Sequence, residues 1–180
     1  MQEFIELLDK SEGCLVNIGD ACTTIELGGK TYSCENIEDS IDGLEKYRNK
    51  KVKAFIWKNT AAKLSNIELW VEKIADIIKK QDCLLYYEEI NAQYQGNSAK
   101  FLMNSGLECM EGVCQPEMDN LFEKYNLQEK QNYDVKNEEK LEKNEFSGTT
   151  VTGYLTWLEK SIWKNNKVNE FIRVYSYDKQ

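Results

Sequence analysis

One stretch in the middle of the chain allows a single regular structure. In NIELWVEKIADIIKK, residues 66–80, the side chains of Ile67, Trp70, Val71, Ile74, Ile77 and Ile78 recur at three- and four-residue steps. That spacing makes one face of an α-helix, whereas strand side chains alternate with period two. Ser65, followed three residues on by Glu68, has capping-box spacing and marks the start. A helix with one apolar stripe must bury that stripe against another layer.

β-like runs supply the other layer. Lys51–Trp57 and CLLYYEEI at 83–90 read as strands. Nearer the N-terminus, FIELLDK suggests a short helix, and Cys14–Ile18 and Cys22–Leu27 alternate apolar and polar residues. Gly19-Asp20 suits a turn, and Gly28-Gly29 can take positive φ at both centres of a tight hairpin leading into Lys30–Glu35. Asn36 is placed to cap a helix reaching about Arg48, with Ile37, Ile41, Leu44 and Tyr47 on one face. Pro116 suits the first turn of PEMDNLFEKYN. Thr149 precedes a helical spacing of Val151, Tyr154, Leu155, Leu158 and Ile162, and VNEFIRVYSY reads as a final strand. The expected fold class is α+β: an N-terminal β-hairpin with a mixed or antiparallel sheet packed by several amphipathic helices. At 180 residues a single domain, 1–180, buries about 70% of its unfolded surface and needs no disulfide staple. Residues 126–147 are charged and poor in core side chains, and read as an excursion with some helical content.

The chain has no histidine. Ser-His-Asp and Cys-His nucleophile machinery, HExxH metalloproteases and His-ligated zinc deaminases are therefore excluded. Of the six cysteines, Cys14, Cys22 and Cys34 are widely spaced, Cys109 and Cys114 are separated by four residues, and Cys83 stands alone. None forms the CxxC knuckle of zinc sites or the thioredoxin-like redox motif. The thiols read as small buried hydrophobes, with no metal, no cofactor and no catalytic residue expected. Gly28-Gly29-Lys30-Thr31 lacks the upstream glycine of a phosphate-binding loop. Glu88-Glu89 invites a hydrolase reading, but neighbours on a strand face opposite ways and cannot share one site. MQEFIELLDK lacks the basic start and apolar run of a signal peptide, and no apolar run reaches membrane-spanning length. A cytoplasmic protein without a membrane partner is expected, with its thiols reduced.

Net charge is −8, concentrated as −6 over residues 1–50 and −5 over 111–147. Such a field repels nucleic acid and attracts basic surfaces, so the expected partner is a basic, nucleic-acid-binding protein rather than nucleic acid itself. The carboxylates placed to engage it are Glu38, Asp39, Asp42, Glu45, Glu138, Glu139 and Glu142. In the C-terminal third, Trp157, Trp163, Phe171, Tyr175 and Tyr177 are interleaved with Lys160, Lys164, Lys167 and Arg173. This could suit base stacking, but the periodicity favours core. The acidic segments ENIEDSIDGLE and KNEEKLEKNE, the small size, and a basic set rich in lysine with only Arg48 and Arg173 give the chain an overall character. It resembles phage and mobile-element inhibitors of the anti-CRISPR and anti-restriction type. The resemblance implies a non-catalytic inhibitor that blocks the nucleic-acid site of a defence nuclease. The alternatives are a toxin-neutralising immunity protein, or an enzyme or ligand-binding module with a cysteine-based site.

Overall fold

The computed structural model describes residues 1–19, 21–38, 40–58, 60–61, 64–90, 115–134 and 170–178. Helix α1, Gln2–Lys10, is followed by strand β1, Cys14–Ile18. A hairpin of β2, Thr24–Leu27, and β3, Lys30–Ser33, leads to the short strand β4, Glu35–Ile37. A 3₁₀ helix η1, Ile41–Arg48, precedes β5, Val52–Lys58. Helix α2, Ile67–Gln81, and strand β6, Leu84–Ile90, come next. Helix α3, Gln115–Lys124, then β7, Leu127–Asn132, and β8, Glu170–Tyr177, complete the described elements.

Six strands form one sheet in the order β4-β1-β5-β6-β8-β7. β4, β1, β5 and β6 are mutually parallel, with Ile18 opposite Ile37 and Trp57, and Trp57 opposite Tyr87. β8 runs antiparallel to both β6 and β7. The expected mixed α and β content and mixed sheet are present, but the hairpin is not the sheet's foundation. Among the described strands β2 and β3 pair only with each other, Ile25 opposite Tyr32, through a turn in which Gly28 and Gly29 hold φ of +55° and +78°. β1 lies inside the parallel region instead. Its residues Leu15 to Ile18 are all buried, because both faces of an interior parallel strand are covered. The polar Asn17 mimics strand alternation, yet it is only 6% exposed.

The sheet separates two cores. On one face α1 contributes Phe4, Ile5 and Leu8, and the hairpin contributes Ile25 and Leu27, against Leu15, Ala54, Ile56, Tyr86 and Val174. Phe4 stacks on Tyr86 with centroids 5.2 Å apart. On the other face Trp70, Val71, Ile74 and Ile78 of α2, Leu44 and Tyr47 of η1, and Phe122 of α3 cover Val16, Ile18, Phe55, Trp57 and Tyr87. The apolar stripe read in α2 is therefore the buried one. Its cap is Asn66, one residue past the expected Ser65, with the Asn66 side chain accepting from the Leu69 N–H at 3.4 Å. No helix among the described residues is long and apolar enough to cross a membrane.

Two other expectations change. Asn36 does not cap a helix. It belongs to β4, where its side chain is engaged with Asn17 and Gly19, and the helical turn starts later, at Ile41. The charged stretch after 126 opens not as helix but as β7, an edge strand of which only Leu127 is buried. The helix expected after Thr149, and residues 135–147, lie outside the described residues.

Candidate functional site

β1 and β5 are neighbours whose onward connections cross opposite faces of the sheet. β1 leads into the hairpin on the α1 side, and β5 into α2 on the other. In open parallel sheets this reversal leaves a crevice at the carboxyl ends of the two strands, and ligands bind there. The candidate site follows from topology before any side chain is considered.

Gly19, the first residue after β1, sits at φ +117° and donates its N–H to the Ile37 carbonyl at 2.9 Å. A Cβ at Gly19 would lie 2.4 Å from Thr60 Cγ2. The close approach that glycine allows is thus used by the chain itself. Thr60, just beyond β5, donates from Oγ1 to the Ile18 carbonyl at 2.9 Å and roofs the end of β1. Asn36 Nδ2 donates to the Gly19 carbonyl at 3.4 Å, and Asn17 Nδ2 donates to Asn36 Oδ1 at 2.7 Å. These bonds lock the turn after β1 to the end of β4. Immediately past β4, next to the carboxyl end of β1, stands Glu38, which is exposed.

The end of β6 adds two buried carboxylates facing opposite ways, as strand geometry requires. Glu88 shares the face of Tyr86; it pairs with Lys58 Nζ at 2.9 Å and accepts from Tyr86 Oη at 2.7 Å. Glu89, 1% exposed, accepts from the Ala61 N–H at 2.9 Å and so anchors the loop that carries Thr60. Beneath this loop Trp57 and Tyr87 meet edge to face with centroids 6.0 Å apart. Among the described residues, Trp57 Nε1 and Tyr87 Oη are buried without a hydrogen-bond partner. Burial pushes the Tyr87 hydroxyl's pKa well above its usual value, so it stays protonated.

Among the described residues no helix follows β1 directly, and the sequence has Gly19 as the one glycine between β1 and β2. The described residues therefore do not form the glycine-rich turn and helix N-terminus that hold a pyrophosphate in dinucleotide-binding folds. Glu38 stands nineteen residues after Gly19, close to the roughly 20-residue interval at which dinucleotide-binding folds carry an acidic residue for the ribose.

Of the carboxylates read from sequence, Glu38, Asp42 and Glu45 follow one another along the connection from β4 to β5, all exposed. Of these three, Glu38 is the one that directly follows β4. Glu45 on η1 pairs with Arg48 at 2.7 Å and Lys73 at 3.2 Å. The Lys73 hydrogen bond, helped by Arg48, holds its carboxyl below the usual range, so Glu45 is committed to holding η1 on α2. Asp39, Glu138, Glu139 and Glu142 lie outside the described residues. In the C-terminal strand, Phe171 and Tyr175 are core and Arg173 is buried, in line with the core reading. Among the described residues no cluster of three metal-ligating side chains occurs. Thr60, Asn17 and Asn36 were not legible as site residues. The available signal was the Gly19-to-Glu38 interval, which is informative only once β1 is known to be a parallel strand.

No protein-family model and no curated protein sequence matches the chain. Solved structures do. A SAM-dependent methyltransferase from Archaeoglobus fulgidus superposes with a TM-score of 0.53 at 11% identity, over 97% of this chain and 90% of that one. A chain of the Haloferax volcanii complex between the Trm112 methyltransferase activator and a candidate methyltransferase gives 0.52 at 7% identity, over 98% and 89%. The shared property is the fold. It corrects the expectation of a non-catalytic, anti-CRISPR-like or toxin-neutralising inhibitor: the chain has a fold like that of these methyltransferases. Global acidity and lysine-rich composition misled because they describe a surface, and surface charge carries no information about fold.

Proposed function

We propose that the chain binds S-adenosylmethionine at the carboxyl ends of β1 and β4 and acts as a methyltransferase. The observation that carries this reading is the exposed Glu38 carboxylate, nineteen residues after Gly19, beside the β1/β5 switch point of a sheet shaped like that of the Archaeoglobus fulgidus enzyme. When bound, S-adenosylmethionine supplies an electrophilic methyl group on a positively charged sulfur. The ligand contains a ribose diol and a cation but no phosphate. Three features support the reading: Glu38 as a diol acceptor, a chain of net charge −8 that attracts cations, and, among the described residues, no glycine-rich turn running into a helix after β1. A dinucleotide fits poorly for the same reasons.

Glu38 would hold the ribose hydroxyls. Asn36 and Asn17 fix the turn between Gly19 and Glu38, and Glu89 holds the Thr60 loop over β1, so the ligand lies on the Glu38 side of the crevice rather than across Gly19. Equilibrium dialysis against S-adenosylmethionine, S-adenosylhomocysteine and NAD provides the test. Saturable binding of the first two and none of NAD is expected. Glu38→Ala should weaken binding about ten- to a hundredfold, the value of hydrogen bonds to a charged group. Absence of binding by the unmodified protein, or binding indifferent to Glu38→Ala, would overturn the reading.

A further inference from the structure

The thiols of the N-terminal region are not equivalent. Cys14 donates to the Lys51 carbonyl at 3.5 Å, and Cys83 is buried with its pKa pushed up to about 12 by desolvation. Cys22 and Cys34 differ from both. Eleven residues separate them, yet their sulfurs lie 3.7 Å apart, because the hairpin returns the chain to where it left β1. The Cys34 N–H donates to the Thr23 carbonyl at 3.0 Å, and its thiol points at the Cys22 carbonyl at 3.6 Å. The two backbones are thus already tied, and both side chains are half-buried rather than sealed. Closing the gap to a disulfide length of about 2.05 Å asks for a shift of under about 2 Å.

We propose that Cys22 and Cys34 form a thiol–disulfide exchange site that closes on reaction with a low-molecular-weight disulfide. The Cys22 thiolate attacks one sulfur of the reagent, a sulfur–sulfur bond breaks, and one reagent thiol leaves. Cys34 then gives its proton to solvent and attacks the Cys22 sulfur of the mixed disulfide, releasing the second reagent thiol. The two protein thiols lose two electrons and two protons in all, and one reagent disulfide becomes two thiols. The order follows from environment: burial first, then the neighbouring Cys22, push the Cys34 thiol up to about 12, so it is the poorer first nucleophile. The bond would pin the segment leaving Gly19 to the residue that enters β4, on the same connection that carries the crevice turn.

The test is intact-mass and peptide-mapping analysis of the full-length protein after incubation with excess oxidised glutathione, which reads the site independently of cofactor binding. Expected is a product lighter by two hydrogens, mapped to Cys22–Cys34, reversed by dithiothreitol and melting several degrees higher than the reduced chain. Cys34→Ser should halt at a single glutathione adduct on Cys22, and Cys22→Ser should leave Cys34 unmodified. A stable adduct on unmodified protein without ring closure would overturn the proposal. So would no reaction, or an internal bond between other cysteines with Cys22 and Cys34 both free.

Discussion

Gly19 and Thr60 form the tightest juncture of the site. A methyl group at Gly19 meets Thr60 at 2.4 Å and must also adopt φ +117°, a region costly for any L side chain. Gly19→Ala should therefore destabilise the protein by about 2–4 kcal/mol, combining strain and overlap. Pairing it with Thr60→Ala removes the contacts to Cγ2 and Oγ1 but leaves Thr60 Cβ 2.6 Å from the added methyl, so it should recover only a fraction of the loss, which a thermal-denaturation double-mutant cycle will measure. Glu35 offers a pH signature. Hydrogen bonding to the Lys50 ammonium, aided by the Tyr47 hydroxyl at 3.2 Å, holds its carboxyl below the usual range. A depressed folded pKa stabilises above the unfolded value of about 4.3 and is lost as pH falls through the folded one. Glu35→Gln should thus be less stable than the unmodified protein at pH 7, by at most about 1 kcal/mol because the group is partly solvated. The difference should vanish in acid, as urea titrations at several pH values will show. Both features depend on partners distant in sequence: Gly19 is separated from Thr60, and Glu35 from Lys50, by connections whose path the local pattern does not determine. Hence neither could be read from the sequence.

Arg173 binds three elements together. Its Nε and Nη2 grip Asp134 at 3.1 and 2.8 Å, its Nη1 reaches Asp119 of α3 at 2.7 Å, and Glu129 of β7 lies at 3.4 Å. Arg173 is 6% exposed. Removing one partner of a buried ion pair typically costs about 3–5 kcal/mol, and Asp119 and Glu129 would still face the charge, so about 3 kcal/mol is expected for Asp134→Ala. In a chain of this size that lowers the melting temperature by about 6–12 °C. Arg173→Lys should recover little, since an ammonium cannot grip Asp134 with two parallel bonds. Local pattern located α1, β1, β5, α2, β6, α3 and β8 because each carries its own periodicity. It missed β7, whose sequence LQEKQN buries one side chain and is held as a strand by its pairing with β8. It also placed the start of η1 too early, because Asn36 is equally good as a cap and as a side chain joined to Asn17.

The molecule as a whole is a parallel-centred sheet sealed on both faces. Its most protected backbone should be β5 and β6, with Ala54, Phe55, Ile56 and Trp57 fully buried between neighbours on either side. Native-state hydrogen exchange should find these amides slowest, near the global unfolding free energy. The β2–β3 amides should exchange by a lower-energy opening, since among the described strands that ribbon pairs only within itself. Slower hairpin exchange than β5 exchange would contradict the layering described. Class-level content was legible because alternation and helical stripes are local, whereas parallel order was not: an interior parallel strand and an antiparallel one can share the same apolar residues, and only the direction of the crossover tells them apart. The strand order has one further consequence, for solubility. Among the described strands, the sheet is bordered on one side by β4, three residues long, and on the other by β7, whose Gln128, Glu129 and Lys130 are exposed and whose pairing is interrupted between Glu129 and Gln131. A short border and a charged, irregular border are both poor templates for another chain's strand. These two borders therefore resist fibrillar growth at high concentration, and of the described strands the β2–β3 ribbon is the more exposed to edge-to-edge pairing.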